Sequence, residues 1–256
     1  MSFSGLLRRH WPLLLSTLLA AGLLSGLGFW QLQRLQWKET LLAQISARLD
    51  APATPAPPRE NWPALNPDDY DYRHVTLRGT FDHAQESYLF RASATGAAGE
   101  GPGYEVLTPL RLADGGVVLV NRGFVSAELQ DPARRKSGQI AGETTVTGLM
   151  RRPETRNMFT PADEPDKNLW FTRDPAALAA HWGFAEVAPF SIDADATPNP
   201  GGWPKGGATV LKIPNNHLSY ALTWFALAAT LVVVALVFAS RRGKNAPAHD
   251  SGAARR

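Results

Sequence analysis

Two long uncharged apolar runs, one near each end, constrain the fold of this chain most strongly. Residues 11–30 read WPLLLSTLLAAGLLSGLGFW and residues 218–240 read LSYALTWFALAATLVVVALVFAS. A helix rises about 1.5 Å per residue, so each run is long enough to cross a hydrocarbon core of about 30 Å. We therefore predict two transmembrane helices, at 11–30 and 217–240.

The charges beside the two runs predict the topology. Arg8 and Arg9 precede the first run, and the basic residues Arg241, Arg242 and Lys244 follow the second. Because Lys and Arg concentrate on the cytoplasmic side, we expect both tails, 1–10 and 241–256, in the cytoplasm and the middle of the chain on the opposite face. A cleaved signal peptide is the alternative for the first run, but that run continues past the small residues where cleavage would occur.

Charge and composition exclude several classes of protein. The chain has no cysteine and only three methionines, which excludes disulfide scaffolds, thiolate metal sites and Met-rich copper carriers. Seven of the 26 Lys and Arg residues lie in the two tails, so that 19 remain between them, against 22 of the 23 acidic residues. The excess positive charge is thus confined to the ends, and a nucleic-acid partner is not expected.

The segment between the spans divides into three parts. Residues 31–50 carry leucines at helical spacing and predict an amphipathic extension of the first helix. Residues 51–58, APATPAPP, have four prolines in eight positions and predict an extended connector. Residues 59–216 are then predicted to form one extracytoplasmic domain of ordinary size.

Within that domain the apolar period changes to two, which predicts strands at 72–81, 87–91, 104–112, 117–125, 143–150 and 188–192. We also predict a hairpin turn at 113–116, a short helix at 176–182 between the N-cap Asp174 and Gly183, and a loop at 197–207. The predicted fold class is α+β. Two transmembrane helices flank an antiparallel β-sheet or a partly closed β-barrel with one or two short helices.

The motifs of the common catalytic sites are missing from the sequence. It has no G-x-S-x-G, no phosphate-binding glycine loop and no H-E-x-x-H. His74, His83 and His181 stand apart, so we interpret each as a surface or hydrogen-bonded residue, and the pair Asp68 and Asp69 as a solvated turn. We therefore predict no catalytic residues and no enzymatic activity.

Arg122 is unusual because it lies in an apolar strand, VVLVNRGFV. A cation in such a run needs a partner. We interpret Arg122 as a structural arginine that is tied to a buried carboxylate or carbonyl group, and a role in a recognition surface is the alternative.

The second membrane entry, PNNHLSYALTWF, is the strongest local signal. His217 falls in the first turn of the helix, where the positive end of the helix dipole favours a neutral imidazole, the form that binds metal ions. Tyr220 and Trp224 follow at i+3 and i+7 and share its face. A polar interfacial histidine is the alternative to a haem or metal ligand.

The first span offers a matching surface. Gly22 and Gly26 form a G-x-x-x-G motif, and Gly28, Trp30 and Gln31 lie at the outer end of the same span. We expect the glycines to pack against the second helix and the aromatic residues to form an interfacial belt.

Five segments together resemble the surfeit-locus-one family of cytochrome c oxidase assembly proteins, and the chain looks like a bacterial member. They are LGFWQLQRLQWKETLL at 27–42, YRHVTLRGTF at 72–81, GYEVLTPL at 103–110, VLVNRGFV at 118–125 and NNHLSYALTWFALA at 215–228. They follow the family's order and adjoin both spans. Phe124 and Ser126 depart from the family pattern, in which Trp and often Pro follow the Asn-Arg-Gly.

The resemblance implies a non-enzymatic factor of the bacterial inner membrane, with a periplasmic central domain, that helps to insert haem a into oxidase subunit I. It implies transient binding of haem a with His217 as the axial ligand of the iron. We assign Tyr220, Trp224, Trp30 and Gly26 to the haem-binding surface. The implied partners are subunit I, the haem a synthesis machinery and the lipid bilayer.

A cofactor-free scaffold for subunit I is the main alternative, since the resemblance does not separate it from haem delivery. An extracytoplasmic enzyme would need a catalytic constellation that the sequence does not show. A sensor would need a cytoplasmic output domain, and the segments predicted to be cytoplasmic are only the two short tails.

Overall fold

The computed structural model describes the backbone of residues 3–94, 101–207 and 215–244. The chain divides into a helix unit, Met1–Ala43 with Ile213–Arg256, and a barrel unit, Gln44–Lys212. The predicted basic tail beyond residue 244, and the end of the predicted domain at 208–214, lie outside the described residues.

Two long helices make up the described part of the helix unit. Helix α1, Phe3–Leu49, is continuous for 47 residues and contains the predicted span, its extension and most of the predicted N-terminal tail. Helix α4 is His217–Lys244. The most apolar windows of the two helices are only 11% and 17% buried, with mean hydropathies of 1.8 and 2.5. The core helix of a soluble protein would be mostly buried, so these two helices fit a membrane protein.

Small residues bring α1 and α4 together. Ala221, Ala228 and Ala235 of α4 are buried and recur every seven residues. Gly28 of α1 packs so closely on the Phe225 ring that an added Cβ atom would lie 2.7 Å from it. Small side chains let two helix backbones approach, which is how apolar helices associate in a bilayer.

The predicted packing through Gly22 and Gly26 is wrong. An added Cβ atom at either glycine would meet nothing within 4 Å. Gly28 makes the close contact instead, because it lies seven residues after the buried Ala21 and therefore on the same face of α1. The G-x-x-x-G spacing predicts that two glycines share a face, but not which face meets the neighbouring helix.

Within the described residues of the barrel unit, eight strands form the sheet. They are β1 Thr54–Pro55, β2 His74–Phe81, β3 Ser87–Ala94, β4 Gly101–Leu112, β5 Val117–Ser126, β6 Glu143–Arg151, β7 Leu169–Trp170 and β8 Ser191–Ala194. Strands β2, β6, β8, β5 and β4 close into a ring, since β4 also pairs with β2. Only the β5–β8 pair in this ring is parallel. The predicted fold class is therefore confirmed: two terminal apolar helices and a closed five-stranded barrel.

The remaining elements lie outside the ring. Strand β1 pairs with β2, β3 pairs with the first half of β4, and β7 pairs with β3. Two short helices, α2 Pro67–Tyr70 and α3 Pro175–Trp182, complete the unit together with several 3-10 turns. Asp174 caps α3 by accepting hydrogen bonds from the backbone of its first turn, and Gly183 ends it at φ +75°, both as predicted.

Strand β5 lies at the centre of the core. Val118 and Val120 pack into the barrel interior with Phe190 and Ile192. Leu119 points to the other side and packs in a second cluster with Leu178 of α3. Because successive side chains of a strand point to opposite faces and both faces of β5 are covered, β5 reads as a continuous apolar run.

Several predicted strand boundaries differ from the structure; among them, β3 extends to Ala94 and not to residue 91, and β4 begins at Gly101 and not at residue 104. Strand β2 begins at His74 and not at residue 72, because Tyr72 adopts a positive φ of 65° in a turn. Strand β8 begins at Ser191 and not at residue 188, since Pro189 has no N–H group to donate to a ladder. The predicted loop at 197–207 also contributes to the sheet, because Lys205 forms a bridge with Phe124.

Candidate functional site

His217 is the first residue of α4. The first turn is held by the carbonyl group of Asn216, which accepts hydrogen bonds from the backbone N–H of Tyr220 at 3.2 Å and from the Ser219 hydroxyl at 2.8 Å. The imidazole is thus placed at the N-terminus of α4.

Gln31 of α1 orients the His217 ring. Its side-chain oxygen lies 2.6 Å from Nδ1 of His217. A carbonyl oxygen only accepts, so Nδ1 donates to it, and Nε2 has no partner among the described residues. A metal-binding histidine is typically oriented by such an acceptor on its other nitrogen.

A second polar atom near the start of α4 is also unpaired. The side-chain oxygen of Asn215 is buried and has no hydrogen-bond partner within the described ranges. A buried carbonyl oxygen without a donor carries a desolvation cost. Asn215 and His217 thus place an unpaired acceptor oxygen and an imidazole two residues apart at the start of α4; of the two, the imidazole is the group that haem iron accepts as a ligand.

The other predicted site residues form no hydrogen bond or ring contact with His217 in the described part of the chain. Trp224 is half-buried on the contact face of α4, whereas Tyr220 at the edge of that face is 56% exposed. On α1, Trp30 is 52% exposed and Gly26 is open. Within the described residues, no hydrogen bond or ring contact joins any of these four to His217. Their assignment to a haem surface stays a prediction.

Arg122 in the barrel unit is a structural arginine of the predicted kind, with carbonyl partners. It is 2% exposed, and its guanidinium donates to the Gly138 carbonyl and to the side-chain oxygen of Asn199. It also lies 4.7 Å over the Phe81 ring. Arg122 and Gly123 together oppose one residue of β4, which makes a β-bulge that bends the strand at this point.

Comparison with known proteins now identifies the family. The family model described as SURF1 family matches residues 18–229, which is most of the chain. The chain belongs to the SURF1 family. It is 36% identical over 215 residues to Surfeit locus protein 1 of Rattus norvegicus, covering 80% of this chain and 68% of that protein.

Two further relatives show the same extent of similarity. The human Surfeit locus protein 1 is 36% identical over 232 residues, which are 86% of this chain and 74% of that protein. A SURF1-like protein of Monosiga brevicollis is 37% identical over 232 residues, which are 86% of this chain and 84% of that protein. The matched region takes in the His217 turn and the barrel unit.

In this SURF1 family member the three histidines of the barrel unit contact other groups of the protein. His74 bonds to Asp195 at 2.9 Å, His83 bonds to the Ile140 carbonyl at 3.0 Å, and His181 lies edge-on to the Trp170 ring. In the described ranges no three His, Asp or Glu side chains are grouped closely enough to hold a metal ion.

The sequence places Gln31 at the outer end of the first span, but its role as the partner of His217 comes from the structure. The sequence signal for it is a polar amide at the outer end of the first span, one turn after Gly28. Polar side chains at such positions in a membrane helix are costly unless they have a partner. This cost indicates that Gln31 has a partner, and the structure identifies the partner as His217.

Proposed function

We propose that this protein is a non-enzymatic membrane assembly factor for cytochrome c oxidase. Its support is membership, over most of the chain, of the SURF1 family, which is a family of cytochrome c oxidase assembly factors. The two exposed apolar helices support a place in the membrane. The proposed partners are oxidase subunit I and the haem a synthesis machinery.

We further propose that His217 holds haem a for transfer to subunit I. The observation that carries this is the hydrogen bond between Gln31 and Nδ1 of His217, which leaves the Nε2 lone pair free. Haem a, when bound, supplies an iron that accepts this lone pair. Gln31 would keep the ring in the correct tautomer, and the exposed faces of Tyr220 and Trp30 would offer apolar surface to a macrocycle.

A cofactor-free scaffold for subunit I is the second candidate. The exposed Tyr220 and Trp30, which support a haem surface, would equally offer aromatic anchors to a protein partner. The two candidate functions are distinguished by whether the purified protein carries haem a.

We propose a bacterial inner-membrane location with both termini in the cytoplasm and the barrel unit in the periplasm. The basic residues outside both spans support this orientation. Reporter fusions at Gly5, Pro57 and Ala246 should indicate cytoplasm, periplasm and cytoplasm. A cytoplasmic signal at Pro57 would overturn the proposed orientation.

The decisive experiment is the absorption spectrum of detergent-purified protein made in cells that synthesise haem a, with pigment extraction. We expect haem a in the wild type, its loss in His217→Ala, and a shifted or weakened spectrum in Gln31→Ala. His181→Ala, which changes an exposed histidine in the barrel unit, is the matched control and should keep the pigment. Circular dichroism checks that each variant is folded.

The outcomes separate the two candidates. A haem-loaded His217→Ala variant with an unchanged spectrum would reject ligation by His217. A wild type that lacks pigment but copurifies with subunit I would favour the scaffold. If deletion of the protein left oxidase activity and haem occupancy unchanged, the assembly role itself would be refuted.

A further inference from the structure

The wall of the barrel unit contains a cavity of about 360 Å³. It opens beyond the end of β8. Strand β8 ends at Ala194, and its antiparallel neighbour β6 extends past that end with the residues that begin at Glu143. The segment that follows β8 leaves the ladder and forms the far side of the cavity with Asp195 and Asn199. Phe81 and Arg122 also line the cavity.

The β6 edge supplies free backbone groups to this cavity. The Thr147 carbonyl accepts a hydrogen bond from the Asp195 N–H at 3.0 Å, so the polar backbone groups of Thr147 point away from β2. Thr145 lies two residues earlier, and its N–H and C=O therefore point the same way. They have no backbone partner in the part of the chain that the structure describes, so Thr145 offers a donor at the cavity.

Arg122 and Asp195 are charged residues of the cavity lining, and Arg122 forms no ion pair within the described residues. No carboxylate lies within ion-pair distance of Arg122 among the described residues, and its Nη1 is buried without a hydrogen-bond partner. The nearby Glu86 is already paired with Arg135, and both side chains are almost completely buried. Two cations and one carboxylate leave a single positive charge buried in this region.

The pKa values of the groups around Arg122 also favour the binding of an anion at this position. Burial lowers the pKa of Arg122 to about 10; Glu86 opposes this shift, and the charge of Arg135 adds to it. His83, which also faces Arg122, has a pKa lowered mainly by burial, so it adds no charge at neutral pH. A negative ligand would relieve the cost of the buried guanidinium.

We propose that this cavity binds the carboxylate group of a small organic ligand, with Arg122 as the charge partner. Nη2 of Arg122 already donates to Gly138 and Asn199, so the unpaired Nη1 is the group that would donate a charge-assisted hydrogen bond to the carboxylate. One unbalanced positive charge favours a monoanion. Asp195 on the cavity lining would repel a dianion such as phosphate, although its own charge is partly balanced by His74 at 2.9 Å. Phe81 provides apolar surface for the rest of the ligand.

The test uses benzoate as the probe and benzamide as its uncharged control. The full chain in detergent is titrated with each at constant ionic strength, and binding is measured by calorimetry and by the thermal shift of the barrel unit. We expect saturable binding of benzoate. The affinity for benzamide should be lower by a factor of about ten or more, since a hydrogen bond between charged groups is lost. Inorganic phosphate should bind more weakly than benzoate.

Variants locate the binding to this cavity. Arg122→Met removes the charge and should abolish selectivity for benzoate over benzamide. Thr197→Phe keeps Arg122 but is designed to fill the cavity from an exposed lining position, and should weaken both probes. Arg78→Met changes an arginine on the same barrel that is 71% exposed and outside the cavity, so it should bind benzoate like the wild type.

The proposal is overturned if benzoate and benzamide bind equally, if neither shows saturable binding, or if Thr197→Phe leaves benzoate binding unchanged. Arg122→Met loses two hydrogen bonds of a buried residue. If this variant fails to fold, it gives no information about binding. In that event the benzoate–benzamide pair and Thr197→Phe decide the question on folded protein. None of these readouts depends on His217 or on bound haem.

Discussion

Replacing Gly123 with alanine should destabilise the barrel more than the same change at a glycine that has free space around it. Gly123 has a φ of +117° within the bulge of β5. An added Cβ atom would lie 2.0 Å from the backbone oxygen of Lys205, and backbone atoms cannot move aside as a flexible side chain does. The bridge between Phe124 and Lys205 would therefore have to open.

The magnitude follows from two costs. A residue with a Cβ atom at this positive φ costs about 1–3 kcal/mol. Opening the bridge loses two hydrogen bonds, between Phe124 N–H and Lys205 O at 2.9 Å and between Lys205 N–H and Phe124 O at 3.0 Å. At about 1 kcal/mol each, they bring the total to roughly 3–5 kcal/mol. For a unit of this size that is a fall in Tm of about 10 °C.

Gly142→Ala is the matched control. Gly142 also has a positive φ, +77°, but an added Cβ atom there meets nothing within 4 Å. Only the backbone cost of about 1–2 kcal/mol applies, which is a fall in Tm of about 4 °C. Thermal unfolding of the purified protein, followed by near-UV circular dichroism of the buried tryptophans, measures both. Equal losses of Tm in the two variants would refute the steric argument.

Three further predictions concern charge, pH and exposure. Glu86→Gln leaves the buried Arg135 without its carboxylate and should lower the free energy of unfolding in urea by about 3 kcal/mol; a loss below about 1 kcal/mol would contradict this. Burial, aided by the charge of Arg122, lowers the pKa of His83 from 6.5, so the folded chain binds fewer protons than the unfolded chain between that lowered value and 6.5. Stability should fall as the pH drops through this window, less steeply in His83→Gln, and identical pH profiles would disprove the assignment. Phe159 is 84% exposed, so Phe159→Ser should change the free energy of unfolding by less than about 0.5 kcal/mol, and a larger loss in the same urea assay would show hidden packing.

The sequence predicts the elements of the barrel well where the signal is local. The run around β5 predicts a strand because its apolar residues are contiguous, and Asp174 and Gly183 predict both ends of α3 because each acts within one turn. The closure of the barrel is different. It depends on three register pairs between β2 and β4, such as Phe81 with Leu110, and pairing between distant segments leaves no periodic pattern in either of them.

The candidate site shows the same division. His217 is recognisable because a histidine at the mouth of an apolar span is costly and therefore informative. The identity of its partner, Gln31, depends on which faces of α1 and α4 meet, and helix spacing alone does not determine that. Arg122 was interpreted as a structural arginine, but its uncompensated charge becomes evident only when the partners of Glu86 are known.

Strand β8 is the last of the described strands along the sequence, yet it lies between β5 and β6 in the ring. A nascent chain that ends before Ser191 therefore carries two sheet edges with unpaired N–H and C=O groups, one on β5 and one on β6. Such edges template pairing with other chains. The barrel is consequently exposed to misassembly until almost the whole domain has left the ribosome, and a chaperone that shields strand edges would act in that interval.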